Sequence, residues 1–169
     1  EWPREQGDIP PTEKAEKVNI RYPDSPRNAE TLMIHPTTLD MFVVTKVRGT
    51  AAEVYRVRGS DWKNAGSGKP VVSEAVATIG MPTIRGGFLT GGDISPDARR
   101  LVISDYISAY ELALPNNEND FSTIWKRTPA VIDTGRREQG ESVAYSADGS
   151  ALYLTSEKAP VPLIRIRRK

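Results

Sequence analysis

The sequence predicts an all-β chain built from successive four-stranded antiparallel sheets, a segment of a β-propeller. Three observations carry that expectation. Short apolar or alternating runs are broken repeatedly by Gly, Pro, Asn and Asp, the pattern of strands joined by tight turns. No stretch sustains helical apolar spacing over several turns without a breaker, so no long amphipathic helix competes. Three turns, His35-Pro36-Thr37, Ser95-Pro96-Asp97 and Ser146-Ala147-Asp148, recur in matching surroundings, as stacked repeats require.

Residues 1–16 hold Pro3, Pro10 and Pro11 among charges, with Trp2 and Ile9 the only large apolar side chains. They read as a tail or linker, because such a segment buries too little surface to offset its ordering entropy. Residues 17–169 form the partial propeller. Residues 18–22 are expected to be a lone outer strand from a preceding blade. The first blade covers about residues 23–79, with strands at 42–45 and 53–57 and an outer strand at 71–79. The second covers about 86–134, with strands at 101–104, 110–114 and 130–134. The third, about 139–169, has strands at 151–154 and 163–167 and lacks a fourth.

The anchors Pro36, Pro96 and Ala147 lie 60 and 51 residues apart, one supersecondary unit per period. Six residues before them stand Glu30, Thr90 and Glu141, and ten after them stand Lys46, Tyr106 and Glu157. A unit of strand, turn, strand, strand and outer strand is a propeller blade, and closed rings hold about 4–8 of them. The ring is therefore expected to be completed by blades outside this sequence. A second polypeptide or segment would supply them, or a copy of the same chain; the ragged first and last blades favour the former.

Composition narrows the class. The 169 residues carry 23 Lys+Arg against 22 Asp+Glu, a net charge of +1, which gives no electrostatic case for nucleic acid or an anionic membrane. With no cysteine, disulfides, Cys-ligated metal and a thiol nucleophile are excluded. No apolar run approaches the roughly 18 residues a membrane span needs. The start at Glu1-Trp2-Pro3 rather than Met fits a processed or excerpted product, including one that has lost a signal peptide.

Asp93-Ile94-Ser95-Pro96-Asp97-Ala98-Arg99-Arg100-Leu101-Val102 resembles the inner hairpin of bacterial propellers of the Ser-Pro-Asp-Gly type, with Ala98 in the place of the usual Gly. The cadence from Gly140-Glu141-Ser142-Val143-Ala144 through Asp148-Gly149 to Ser156-Glu157 is similar to that of phytase-like esterase propellers. The resemblance covers about residues 18–169. It implies the propeller fold, an extracytoplasmic or secreted setting, and an N-terminal half lying outside this sequence. It does not imply an activity, because such folds host many functions.

Blade geometry brings the positions six before and ten after each anchor to one end of the sheets, at the mouth of the channel. Glu30, Glu141 and Glu157 would gather there with Lys46, Tyr106 and Thr90, and the loops reaching that end add Arg27, Asn28, Arg85, Arg136, Arg137 and Gln139. Converging carboxylates suit a hard cation such as Ca²⁺, and a rim of Arg suits an anionic ligand. The plainer alternative is that Lys46 pairs with Glu30 or Glu157 and the Arg residues are solvated. His35, the only histidine, falls on the opposite turn as a solvated residue, which leaves no Ser-His-Asp triad. Trp62 and Trp125 lie in long outer loops and are candidate partner anchors, or pack back on their own blades.

Three function classes stay open. The leading one is a binding or scaffold propeller segment with a small-ligand site at the mouth and no catalysis from this chain alone. The second is a calcium-dependent phosphoesterase or esterase-like hydrolase, with Glu30, Glu141 and Glu157 on the metal and Arg27, Arg85 and Arg136 on the substrate. The third is a structural subunit of a large assembly.

Overall fold

A computed structural model describes residues 13–47, 51–65, 68–82 and 88–168. Most of the tail, including Trp2, and the candidate Arg85 lie outside the described residues. The described chain is all-β apart from one short helix and one 3-10 turn, and among its residues no helix is long and apolar enough to cross a membrane.

The chain first forms β1 (Ile20–Arg21) and then β2 (Ala29–Ile34), β3 (Met41–Thr45) and β4 (Ala52–Val57). After α1 (Gly59–Lys63) come β5 (Val71–Val72) and β6 (Glu74–Ile79). The first sheet is antiparallel with strand order β2-β3-β4-β6. Residues 18–22, expected to be a lone outer strand, instead supply β1, which pairs in parallel with β5. The expected outer strand 71–79 is split at Ser73, whose N–H and hydroxyl both donate to the Arg21 carbonyl. The small polar residue diverts the ladder to β1 before β6 joins β4.

The second sheet contains β7 (Gly91–Ile94), β8 (Arg100–Ser104), β9 (Ala109–Ala113) and β10 (Ala130–Ile132), paired in that order. Between its last two strands the chain makes a 3-10 turn over Phe121–Lys126, capped by the Asp120 carboxylate. The third sheet has β11 (Gly140–Tyr145), β12 (Ala151–Ser156) and β13 (Ile164–Arg167), with β13 at its edge.

The first hairpin of each of these three sheets closes with the same bond across its turn. His35 N–H donates to Asp40 O at 2.9 Å, Ser95 to Arg100 at 2.9 Å and Ser146 to Ala151 at 2.8 Å. Each turn contains one left-handed residue: Leu39 (φ 59°), Ala98 (φ 55°) and Gly149 (φ 68°). Ser95 and Ser146 also use their hydroxyls, on Asp97 and Asp148 respectively. In the first turn the His35 Nδ1 takes over, accepting the N–H groups of Thr37 and Thr38.

The sheets pack through their innermost strands, β2 against β7 and β7 against β11. The larger core lies between the first two sheets, where Met33, Phe42, Val44 and Val54 meet Ile94, Leu101, Ile103 and Leu112. A smaller core joins the second and third through Val102, Ala109, Val143, Leu152 and Leu154. Close approach is built into β7. A Cβ on Gly92 would lie 2.9 Å from both Thr31 Cγ2 and Met33 Sδ, and one on Gly91 would lie 2.9 Å from Glu141 O.

Candidate ligand site at one end of the sheets

Antiparallel pairing puts the start of each inner strand beside the end of the next strand. Lys46 N–H donates to Asn28 O, Thr90 to Ser104 O and Glu157 to Gln139 O, at 2.8–2.9 Å. Glu30, Lys46, Thr90, Tyr106, Glu141 and Glu157 therefore stand at one end of their sheets. The ladder also has a feature that alternation alone does not reveal. Register shifts fall between Ala29 and Thr31 in β2 and between Gly140 and Ser142 in β11. Glu30 and Glu141 are the extra residues of two β-bulges, the device that re-aims a side chain at the end of a ladder.

Lys46 is the centre of the first cluster. Its ammonium donates to Glu30 Oε2 at 2.6 Å and to Tyr106 Oη at 2.9 Å. It also lies 5.0 Å from the Tyr106 ring centroid and 5.7 Å from that of Phe88. Those two rings stack with centroids 5.6 Å apart. Burial pulls the Lys46 pKa down, but the hydrogen bonds and charges of Glu30 and Tyr106 outweigh it and raise the value above that of a free lysine. The cluster bridges the first and second sheets and is electrically balanced.

The second cluster sits on the third sheet. The Gln139 amide N–H₂ donates to Glu141 Oε1 at 2.9 Å and also to Glu157 Oε2. Thr90 Oγ1 donates to Gly140 O at 2.7 Å, and Gly140 N–H to Tyr106 O at 2.8 Å. These bonds stitch the second and third sheets together at the same end. Arg136 is exposed and borders a 220 Å³ hollow with Glu157, Lys158 and Pro160.

Three parts of the expected site have partners within the chain. The carboxylates of Glu30, Glu141 and Glu157 are drawn to Lys46 and Gln139, and no group of three or more acidic or histidine side chains among the described residues is arranged to hold a metal ion. Arg27 is not a free anion binder. Its Nε donates to Glu53, its Nη2 to Asp24 and its Nη1 to Ser25, and these hydrogen bonds, outweighing the cost of burial, raise its pKa further. Arg137 is buried rather than on the rim. Its Nη2 donates to the Asp105 and Ser108 carbonyls, its Nε and Nη1 have no hydrogen-bond partner, and burial lowers its pKa. The guanidinium lies on Gly140, where a Cβ would come within 2.4 Å of Arg137 Cζ. Asn28 is exposed and contributes its backbone carbonyl.

Trp62 and Trp125 pack back on the fold. Trp125 is 7% exposed, tilted against Phe42 at 5.4 Å between centroids. Trp62 is half-buried and donates its Nε1–H to Leu39 O at 2.8 Å. His35 is also buried, edge-on to Phe121 at 4.7 Å, and burial depresses its pKa against an opposing pull from Asp40. Packing of the 3-10 turn onto the first sheet explains both outcomes, since it covers Phe42 and His35 with Phe121 and Trp125. It also creates a cleft of about 630 Å³ at the end opposite Lys46, lined by His35, Asp40, Arg56, Glu74 and Trp125. The only local signal for it is the Phe121/Trp125 pair at four-residue spacing.

The Lys46 end can recognise charge and hydrogen-bonding groups. It offers one ammonium held between an acid and two aromatic faces, and two carboxylates held on one amide. No histidine base reaches this end, because the sole histidine, His35, is at the far end of its sheet. No protein-family model matches the chain, and no curated protein matches it.

Proposed function

We propose that the chain is a binding or scaffold segment of a β-propeller, its three main sheets being consecutive blades of a ring completed by sheets from outside these 169 residues. The reading rests on one observation, the equivalence of the three sheets face by face. In each sheet one face looks back toward the preceding sheet. Met41 and Val43 pair with Val57 and Tyr55 on that face of the first sheet. Leu101 and Ile103 pair with Leu112 and Tyr110 in the second, and Leu152 and Leu154 with Ile166 and Ile164 in the third. The back faces of the second and third sheets are covered by the sheet before. The inner half of the first sheet's back face is open, with Leu32 and Ile34 exposed beside a 300 Å³ groove that Ile20 and Val43 also line. A stacked ring supplies the missing cover.

In this reading the ligand is small and anionic and is taken at the Lys46 end, where the exposed Arg136 and the half-buried Tyr106 would meet it and it would take the place of Glu30 on Lys46. The hydrolase reading has less support, since no group of three acidic or histidine side chains among the described residues is gathered to hold a metal ion. The test is a backbone and side-chain NMR titration with inorganic phosphate and, separately, calcium. Saturable phosphate shifts confined to Lys46, Tyr106 and Arg136 are expected. Absence of phosphate shifts there sinks the ligand site, and saturable calcium shifts at Glu141 and Glu157 would restore the metal-dependent alternative.

A further inference from the structure

The open back face of the first sheet has a specific counterpart on the same molecule. The two junctions inside the chain follow one rule of size. At the first, Thr31 and Met33 on β2 press on Gly92, which has no room for a Cβ. At the second, Gly91 lies against the backbone of β11, where a Cβ would meet Glu141 O at 2.9 Å and Ser142 Cα at 3.1 Å. Each junction thus puts a glycine of β7 where the neighbouring strand leaves no room for a Cβ, because inner strands this close cannot hold two large groups at one level.

The unpaired surfaces continue the rule. On the first sheet Leu32, 55% exposed, stands at the place of Gly92 and Val143, followed by Ile34, 45% exposed. On the outward face of the third sheet Ser142 and Ala144, both exposed, stand at the places of Thr31 and Met33. Large side chains on one unpaired face match small ones on the other.

Resting on the propeller reading, we infer that a second copy of this chain covers the first sheet, with its Ser142 and Ala144 face docked on Leu32 and Ile34. The same junction then forms a second time by two-fold symmetry. The junction is continuous with the two already present, since it joins the same strand positions in the same order.

The experiment measures the molar mass of the full chain by light scattering and sedimentation equilibrium, for the parent and for Leu32→Asp and Ala144→Arg. Both positions are exposed, and far-UV circular dichroism checks that the variants keep the fold. A parent dimer is expected, with each variant weakening dimerisation by about 30-fold or more, the size of an interface hot spot. An equimolar mixture of the two variants should recover association, because one junction is then fully parental and the other sets Asp against Arg. A parent that stays monomeric, or a dimer indifferent to both variants, overturns the inference. A monomer that binds an apolar dye in a Leu32-dependent manner leaves the propeller reading standing with a different protein on that face. A monomer whose dye binding ignores Leu32 removes both.

Discussion

The Lys46 ammonium and the Tyr106 hydroxyl lie 2.9 Å apart although the residues are 60 positions apart in sequence. The contact ties the end of β3 to the loop after β8, so it reports the packing of two sheets as well as the state of one site. Phe88 and Tyr106 shield the ammonium, and Glu30 balances its charge.

Lys46→Met should therefore lower stability at neutral pH by about 1 kcal/mol, the scale of a partly exposed ion pair with aromatic contacts. Because the folded-state pKa of Lys46 is raised, its contribution is fully present below the unfolded value of about 10.4 and fades as pH rises through the folded value. Denaturant unfolding of both proteins across the alkaline range checks this. The difference between them should be constant near neutrality and shrink only above about pH 10.4.

His35 predicts the opposite slope. Its pKa is depressed in the folded state by burial, so the unfolded chain takes up the proton first. Stability should be full above the unfolded value of about 6.5 and fall as pH drops from there toward the folded value. Protonation also removes the Nδ1 acceptor that serves Thr37 and Thr38. In His35→Asn, whose side-chain oxygen can accept the same N–H groups without titrating, this part of the acid dependence should vanish. Melting temperatures between about pH 7 and pH 5 distinguish the two, that window spanning the ordinary His range.

Ala98 occupies the left-handed region with φ 55°, where a Cβ costs about 1–2 kcal/mol. Ala98→Gly removes that strain but enlarges the freedom of the unfolded chain by about 0.4–1 kcal/mol. The net expectation is a gain of about 0.5–1 kcal/mol, the difference of those two effects. A chemical-denaturation midpoint below that of the parent would show that the turn does not carry the strain.

Gly92→Ala should be far more costly than its single methyl suggests. The new Cβ would meet Thr31 Cγ2, Met33 Sδ and the Val102 carbonyl at 2.9–3.0 Å, and overpacking of this kind costs about 1–3 kcal/mol. Gly80→Ala is the control, since a Cβ there meets nothing within 4 Å. Equal unfolding free energies for the two variants would mean that β2 and β7 are not in close contact in solution.

The strands were legible because their physics is local. Alternation in residues 53–57 and 151–154, bounded by turn-forming residues, gives β4 and β12 to within two residues. Spacing from the three turns also brought Lys46 and Glu30 to one end of their sheet, where they pair. What escaped depends on contacts across sheets. Trp125 looks like an exposed anchor until the loop after β9 folds onto Phe42, and His35 looks solvated until Phe121 covers it. Arg27 looks free because Glu53, its partner, sits two strands away. The split at Ser73 was hidden for the same reason, since β1 competes with β4 for that segment.

The bulges at Glu30 and Glu141 bear on how such a chain can change over time. An extra residue there belongs to neither regular face of its strand, so its side chain answers to no packing neighbour in the core. The equivalent place in the second sheet holds Thr90, just before β7, which is buried and held by Ser104 O and Gly140 O and so is the exception. In the other two sheets this location is thus free to vary, and chemistry can be rewritten there one residue at a time while the strands beneath keep their register. A library randomised at residues 30 and 141 would vary the recognition surface at small cost to folding, whereas the same diversity placed at Thr90 or Val143 would fall on buried side chains between the sheets.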